Sequence, residues 1–376
     1  MTDTYTVTTG RDKLGEILDK CRAWSESTFE NAVVMPSELY TSAAIAELEK
    51  RAIFSKEWIC VGREERVPQA GDFFTALVNE YPVIVVRSND DQLLALANIC
   101  RHRGMRLAKG SGNTKVFTCP YHAWTYNLDG SLRRAPFMKN VAGFDPGGVQ
   151  LPKVKLECWQ GFIYICLDPD ADPLAPRLSG LADKMAEVPT DKLKLVFLET
   201  VEYECNWKVL LENFCESYHL FCVHRRTLEP MSPTRKVKAL EGADGWNLHR
   251  MEYNPHDGVD AHTGYICAVY PNHAISFGGK TGLLWITATP TAVDRTRVNL
   301  GVISPPDIAG GGISEEFREK TREFVFSFLS EDKEIIESVQ KNLPVFEPTQ
   351  PYCDMERTNW EFGQYLVRRL LAEAAR

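Results

Sequence analysis

The spacing of apolar residues changes along the chain. Between residues 11 and 24, Leu14, Ile17, Leu18 and Cys21 recur at helical spacing and predict a short amphipathic helix. A second helix is predicted where Thr41 can cap a run through Ala44, Ile45, Leu48 and Ile53. Over residues 58–168 the pattern shortens to β-rich runs, FFTALV, VIVVRS, LLALANI, KVFTC and GFIYICL, separated by Gly, Asn and Asp turns. These runs imply a small antiparallel β domain. The Pro- and Asp-rich stretch DPDADPLAPRLSG, starting at Asp168, reads as a boundary. Beyond it come the strand-like runs LKLVFLETVEYEC, GWNLHRMEY, HAISFGG, GLLWITATPTA and TRVNLGVIS. Helical patterns cover residues 207–219, 315–329, 332–342 and 359–375. The layout is α+β, with helices packed on an antiparallel sheet.

Composition narrows the class. The 376 residues are 44% hydrophobic, enough to bury a core in each of two domains. A formal net charge of −8 gives no overall electrostatic footprint for nucleic acid or an anionic membrane surface. The first twenty residues lack the apolar run of a signal peptide, and no stretch has bilayer-spanning length, so a cytoplasmic protein without membrane partners is expected. Eleven scattered cysteines fit reduced thiols better than a disulfide framework.

Chemistry concentrates in CRHRGMRLAKGSGNTKVFTCPYH, residues 100–122. Cys100 and His102 form one pair, Cys119 and His122 another, and sixteen residues separate them. Two Cys and two His satisfy a tetrahedral zinc, but zinc modules usually pair thiolates two to four residues apart. Here each pair mixes one thiolate with one imidazole. That mixture suits a Rieske [2Fe–2S] centre, in which two thiolates hold one iron and two imidazoles the other.

In the segments CRHRG and CPYHAWTYNLDGSL the chain resembles the Rieske non-haem iron oxygenases, and the resemblance extends over nearly its whole length. It implies three segments: residues 1–38, N-terminal helices packing with the catalytic domain; 39–168, an all-β Rieske domain; and 169–376, a catalytic domain of helix-grip type. NWKVLLENFCESYHLFCVH, residues 206–224, resembles the family's mononuclear iron motif, with His219 and His224 as ligands. Residues five apart on an ideal helix point about 140° apart, so a bulge or a helix end between them is expected. A ferrous site for dioxygen needs two His and one carboxylate. Asp307, Glu331, Asp332 and Asp354 are available downstream, and SEDKEIIESVQKNL resembles the family's late acidic pair at the start of a helix. Asp332 is the expected ligand and Glu331 the next choice, although a first-turn acid is also favoured by the helix dipole alone.

The resemblance further implies that Glu216, three residues before His219 on the same helical face, links that histidine to His122 of a neighbouring subunit in a homotrimer. Glu212 and Asn213 are candidate orienting groups. A terminal oxygenase follows, using O2 and electrons from a ferredoxin or flavin reductase on a small-molecule substrate, because the chain carries no GxGxxG fingerprint of its own. Monooxygenation or oxidative N- or O-demethylation is favoured over cis-dihydroxylation. A Rieske electron-transfer protein, with His219 and His224 as core residues, is the reading from another class. Tyr253, Tyr265, Tyr270, Phe277 and Trp285 can supply an aromatic cage for a quaternary amine, but they also read as ordinary strand residues. Trp124, Trp207 and Tyr218 read as packing aromatics.

Overall fold

The structure is a computed structural model that describes residues 10–186, 188, 190, 192–254, 263–278, 282–306 and 312–376. It divides into two compact units, one of Phe54–Ala175 and the other of Met1–Ile53 with Pro176–Arg376.

In the Phe54–Ala175 unit, the β-branched run Tyr81–Arg87 is buried from Val83 to Val86 and lies inside a sheet that is seven-stranded among the described residues. Asp72–Val78 and Leu93–Ala97 flank it, and Lys153–Trp159, Phe162–Cys166 and Ile59–Arg63 extend the sheet in turn. A three-stranded sheet of Phe117–Thr118, Thr125–Tyr126 and Leu132–Arg134 sits beside the Cys/His segment. Cys100, Cys119, Trp124, Tyr126 and Leu128 share one buried cluster with Ile84, Val86 and Leu96. The two thiols are thus anchored in the core of the unit.

In the other unit, Lys238–Ala243, Trp246–Glu252, Thr263–Val269, His273–Gly278, Leu283–Ala292 and Arg295–Ser304 form an antiparallel meander, and Lys194–Tyr203 pairs with the last of these strands. The sequence reading missed Lys238–Ala243 and Thr263–Val269, short strands beside the turn at Asp244 and Gly245 and the undescribed residues 255–262. Three helices, Trp207–Cys215, Glu315–Asn342 and Arg357–Ala374, contact the sheet. Trp207, Phe362 and Tyr365 are buried where helices meet.

Three expectations change. The second helix is capped by Ser42, whose hydroxyl accepts from the Ile45 amide, instead of by Thr41. It belongs with the unit that contains Pro176–Arg376: buried Glu49 pairs with Lys208 Nζ at 2.5 Å and accepts from Trp207 Nε1 at 3.0 Å. The unit edges therefore fall at Ile53 and Ala175 instead of at residues 38 and 168. Finally, the helices expected at 315–329 and 332–342 are one 28-residue helix, because Ser330, Glu331 and Asp332 are all tolerated inside a helix and no Gly or Pro interrupts them.

Candidate metal centres

Each Cys/His pair sits on a five-residue turn of the same design. Cys100 N donates to Met105 O and Gly104 N to Cys100 O; Cys119 N donates to Trp124 O and Ala123 N to Cys119 O. The fourth residue after each cysteine has positive φ, +75° at Gly104 and +57° at Ala123, and only glycine adopts this region without penalty. The turns bring the His102 and His122 rings to 4.7 Å between centroids. Trp124 stacks on His102 at 4.9 Å and 6°, a role that the reading as plain packing missed. The hydroxyl of buried Tyr126 lies 3.3 Å from Cys100 Sγ and accepts from the Arg101 amide.

These residues fit an iron–sulfur cluster. His102 Nδ1 is buried without a hydrogen-bond partner, as expected of a nitrogen that donates to a metal. Partial burial, with smaller repulsion from His122 and Arg103, holds the His102 pKa below its ordinary value and favours the neutral ligand form.

The second centre starts at a helix end. Asn206 caps the helix Trp207–Cys215 by accepting from the Lys208 amide. The helix stops at Cys215, before both histidines, and Glu216 is extended at φ −111°, ψ 160°. Glu216 therefore shares no helical face with His219. Its carboxylate instead folds back onto the Tyr218 amide, the His219 amide at 3.3 Å and His219 Nδ1 at 2.5 Å. The following turns run Val223 N to His219 O and His224 N to Leu220 O, and they bring the two rings to 5.1 Å.

Asp332 lies well inside its helix, so the first-turn explanation of that acid is withdrawn. Its Oδ1 stands 3.0 Å from His224 Nε2 and 3.5 Å from His219 Nε2. Among the described residues, His219, His224 and Asp332 form the one group of three whose donor atoms lie within 4.8 Å of one another. Glu331 occupies the other side of His224, with Oε2 2.8 Å from Nδ1, and also accepts from Thr227 at 2.7 Å. Adjacent carboxylates thus bracket one imidazole. Burial opposes charge on His224, but bonding to Asp332 and Glu331 outweighs it and raises the pKa; a cation held at Nε2 satisfies the same carboxylate. Asn213 donates to Asp332 at 3.4 Å, whereas Glu212 turns to the Tyr40 hydroxyl at 2.7 Å. Asp354 lies in a separate 3-10 turn, and Asp307 is outside the described residues.

A cavity of about 110 Å³ opens beside these side chains, walled by Phe214, Leu220, Met251, Ile266, Leu284 and Phe328. Of the five aromatic residues considered for a cage, Tyr253 lines it. Tyr265 and Phe277 stack on each other, and Tyr270 and Trp285 are buried. The Tyr253 ring covers Gly264 and Gly278, a cross-strand pair where a Cβ would meet the ring at 2.3 and 2.8 Å. Ser232 also lines the cavity, with its hydroxyl buried and unpartnered.

Residues 57–145 match the Rieske [2Fe-2S] domain family, and residues 190–372 match the ring hydroxylating alpha subunit (catalytic domain) family. A carnitine monooxygenase oxygenase subunit from Escherichia coli is 30% identical over 327 residues, 84% of this chain and 85% of that protein. The chain belongs to the Rieske non-haem iron oxygenases. It is a terminal oxygenase subunit of this family, which uses a [2Fe–2S] cluster, a mononuclear iron and O2. Chloroplastic choline monooxygenase of Beta vulgaris is 32% identical over 267 residues, 69% of this chain and 59% of that protein. A solved quaternary ammonium Rieske monooxygenase superposes with a TM-score of 0.82 at 27% identity, covering 96% of this chain and 98% of the other. Among the described residues no helix is long and apolar enough to cross a membrane, and no cysteine forms a disulfide.

Proposed function

We propose that Cys100, His102, Cys119 and His122 hold the Rieske cluster, that His219, His224 and Asp332 hold the mononuclear iron, and that the substrate is a small N-methylated ammonium compound. The observation that carries the iron assignment is the convergence of two Nε2 atoms on one Asp332 oxygen while both Nδ1 atoms are engaged by carboxylates. Two imidazoles and one carboxylate on one side suit a ferrous oxygenase centre with open positions. Bound iron supplies electron storage at the cluster and dioxygen activation at the second centre. Glu216 and Glu331, bonded at the Nδ1 atoms, fix the ring orientation of the two histidines so that both Nε2 atoms face Asp332. Phe214, Leu220 and Phe328 exclude water from the reacting position.

The cavity supports a cationic substrate. It combines the carboxylates of Glu216 and Asp332 with the aromatic faces of Phe214, Tyr253 and Phe328, and no Lys or Arg lines it among the described residues. Such faces favour an alkylammonium, and the relatives named for carnitine, choline and glycine betaine point the same way. The buried Ser232 hydroxyl supplies one hydrogen bond to a substrate oxygen. We assign electron supply to a ferredoxin or flavin reductase, Glu216 to a link with the cluster of a neighbouring subunit in a homotrimer, and the protein to the cytoplasm.

The test is O2 uptake and formaldehyde release by the holoenzyme with carnitine, choline and glycine betaine, against benzoate and anthranilate. Turnover of N-methyl cations with formaldehyde or hydroxylated product supports the reading. Turnover of the aromatic acids alone replaces it with ring dihydroxylation.

A further inference from the structure

The charge of the chain is not evenly spread. Residues 100–145 contain eight Lys and Arg against two Asp, a formal +6, so the other 330 residues carry −14. All eight basic side chains are exposed, Arg101, Arg103, Arg106, Arg133, Arg134 and Lys139 among them, and none forms an ion pair within the chain among the described residues. Surfaces that only need solubility intersperse the two signs. This one does not.

The same segment carries apolar side chains exposed to solvent. Phe137 is 101% exposed and adopts φ +62°, a conformation that is an outlier for a bulky side chain and costs free energy. A turn closed by Met138 N donating to Ala135 O holds that conformation and leaves the ring itself in solvent. Val141 is half exposed nearby. An exposed aromatic three residues after Arg134 and two before Lys139, both exposed, has the make-up of an interface anchor. The segment also connects inward: Met138 and Phe144 pack on the cysteine-bearing core, Phe144 meets Trp124 at 5.6 Å, and Trp124 stacks on His102.

We propose that the exposed segment of residues 133–141 is the docking surface for an acidic redox protein, with Phe137 as its apolar anchor and Arg133, Arg134 and Lys139 as its steering charges. Phe144, seven residues after the Phe137 anchor, stands two ring contacts from His102. One electron leaves the donor's iron–sulfur or flavin centre and is accepted by the oxidised Rieske cluster, with no bond made or broken. The inference rests on the assignment of Cys100, His102, Cys119 and His122 to the cluster.

The experiment is stopped-flow reduction of the oxidised holoenzyme by a reduced plant-type [2Fe–2S] ferredoxin, with dithionite as the small-molecule control. The second-order rate constant is expected to fall about tenfold between about 0.05 and 0.5 M NaCl. At low salt it is expected to fall about tenfold again in Arg133→Glu/Arg134→Glu and several-fold in Phe137→Ser. The Rieske EPR signal, dithionite reduction and oligomeric mass stay unchanged in both variants. A rate indifferent to salt and to the substitutions overturns the proposal. So does a change of oligomeric mass in either variant, which assigns the face to a second copy of the chain. A wild-type protein without a Rieske signal removes the cluster assignment itself, a separate failure.

Discussion

The two metal centres are built in opposite ways. The Cys/His site occupies 23 consecutive residues, on two turns that repeat one hydrogen-bond pattern inside a β core. The His/His/Asp site draws on a helix end, a run of turns and the interior of a helix more than a hundred residues downstream. In the first, the backbone aims the donors, and the cysteines are themselves part of the core. In the second, carboxylates aim them: Glu216 holds one imidazole and Glu331 the other. A metal lost from the first site removes part of a core, whereas loss from the second leaves the scaffold standing.

Substitutions sharpen that contrast, starting from the largest expected effect. Cys119→Ser is expected to abolish the cluster, end turnover and destabilise the Phe54–Ala175 unit by several kcal/mol, since metal binding in such a site is coupled to folding; visible absorption and thermal unfolding would report both. Glu331→Gln keeps the shape of the carboxylate that bonds His224 and Thr227, but weakens its hold on Nδ1. Iron affinity at the second centre should drop about 10- to 100-fold in a chelator titration, with Tm nearly unchanged for the apoprotein.

A third expectation concerns pH. Burial raises the Glu212 carboxyl to about 8, against hydrogen bonding from Tyr40. The unfolded chain ionises this group near its ordinary value, about 4.3. Between those values the unfolded state binds fewer protons, so stability falls as pH rises through this window. From pH 6 to 8 the loss from this group is about 2 kcal/mol, and Glu212→Gln should flatten the Tm-against-pH curve there. A curve unaltered by the substitution removes Glu212 as its source. The smallest effect is at Ala123: with φ +57°, Ala123→Gly should stabilise the Phe54–Ala175 unit by up to about 1 kcal/mol without changing the cluster's EPR signal.

Legibility in the sequence follows the same division. Cys100, His102, Cys119 and His122 are neighbours along the chain, and their spacing carried their chemistry. Most strands of both units were readable as aliphatic runs, buried continuously within Tyr81–Arg87 and in alternation at the start of Arg295–Ser304. The second centre was readable by family likeness only, since nothing local ties His224 to Asp332. The acidic pair there was read as a helix start because Ser330, Glu331 and Asp332 are also N-terminal residues by propensity, and only the contact with His224 shows why they stand inside a helix. Glu216 was placed on a helix by extending the apolar pattern past Cys215. Its carboxylate competes for the amides of Tyr218 and His219 and ends that pattern. Trp124 and Ser232 carried no readable signal, because stacking on a ligand and facing a cavity depend on partners far away in sequence.

The most direct measurement is iron and inorganic sulfide content, with low-temperature EPR of the reduced protein, for the wild type and Asp332→Ala. Two irons belong to a Rieske cluster and one to a three-ligand ferrous site. Three irons and two sulfides per wild-type chain are expected, with the variant losing one iron and all turnover while keeping its Rieske signal and both sulfides. A variant that retains all three irons, or one that loses the cluster together with the single iron, would contradict two separately built centres.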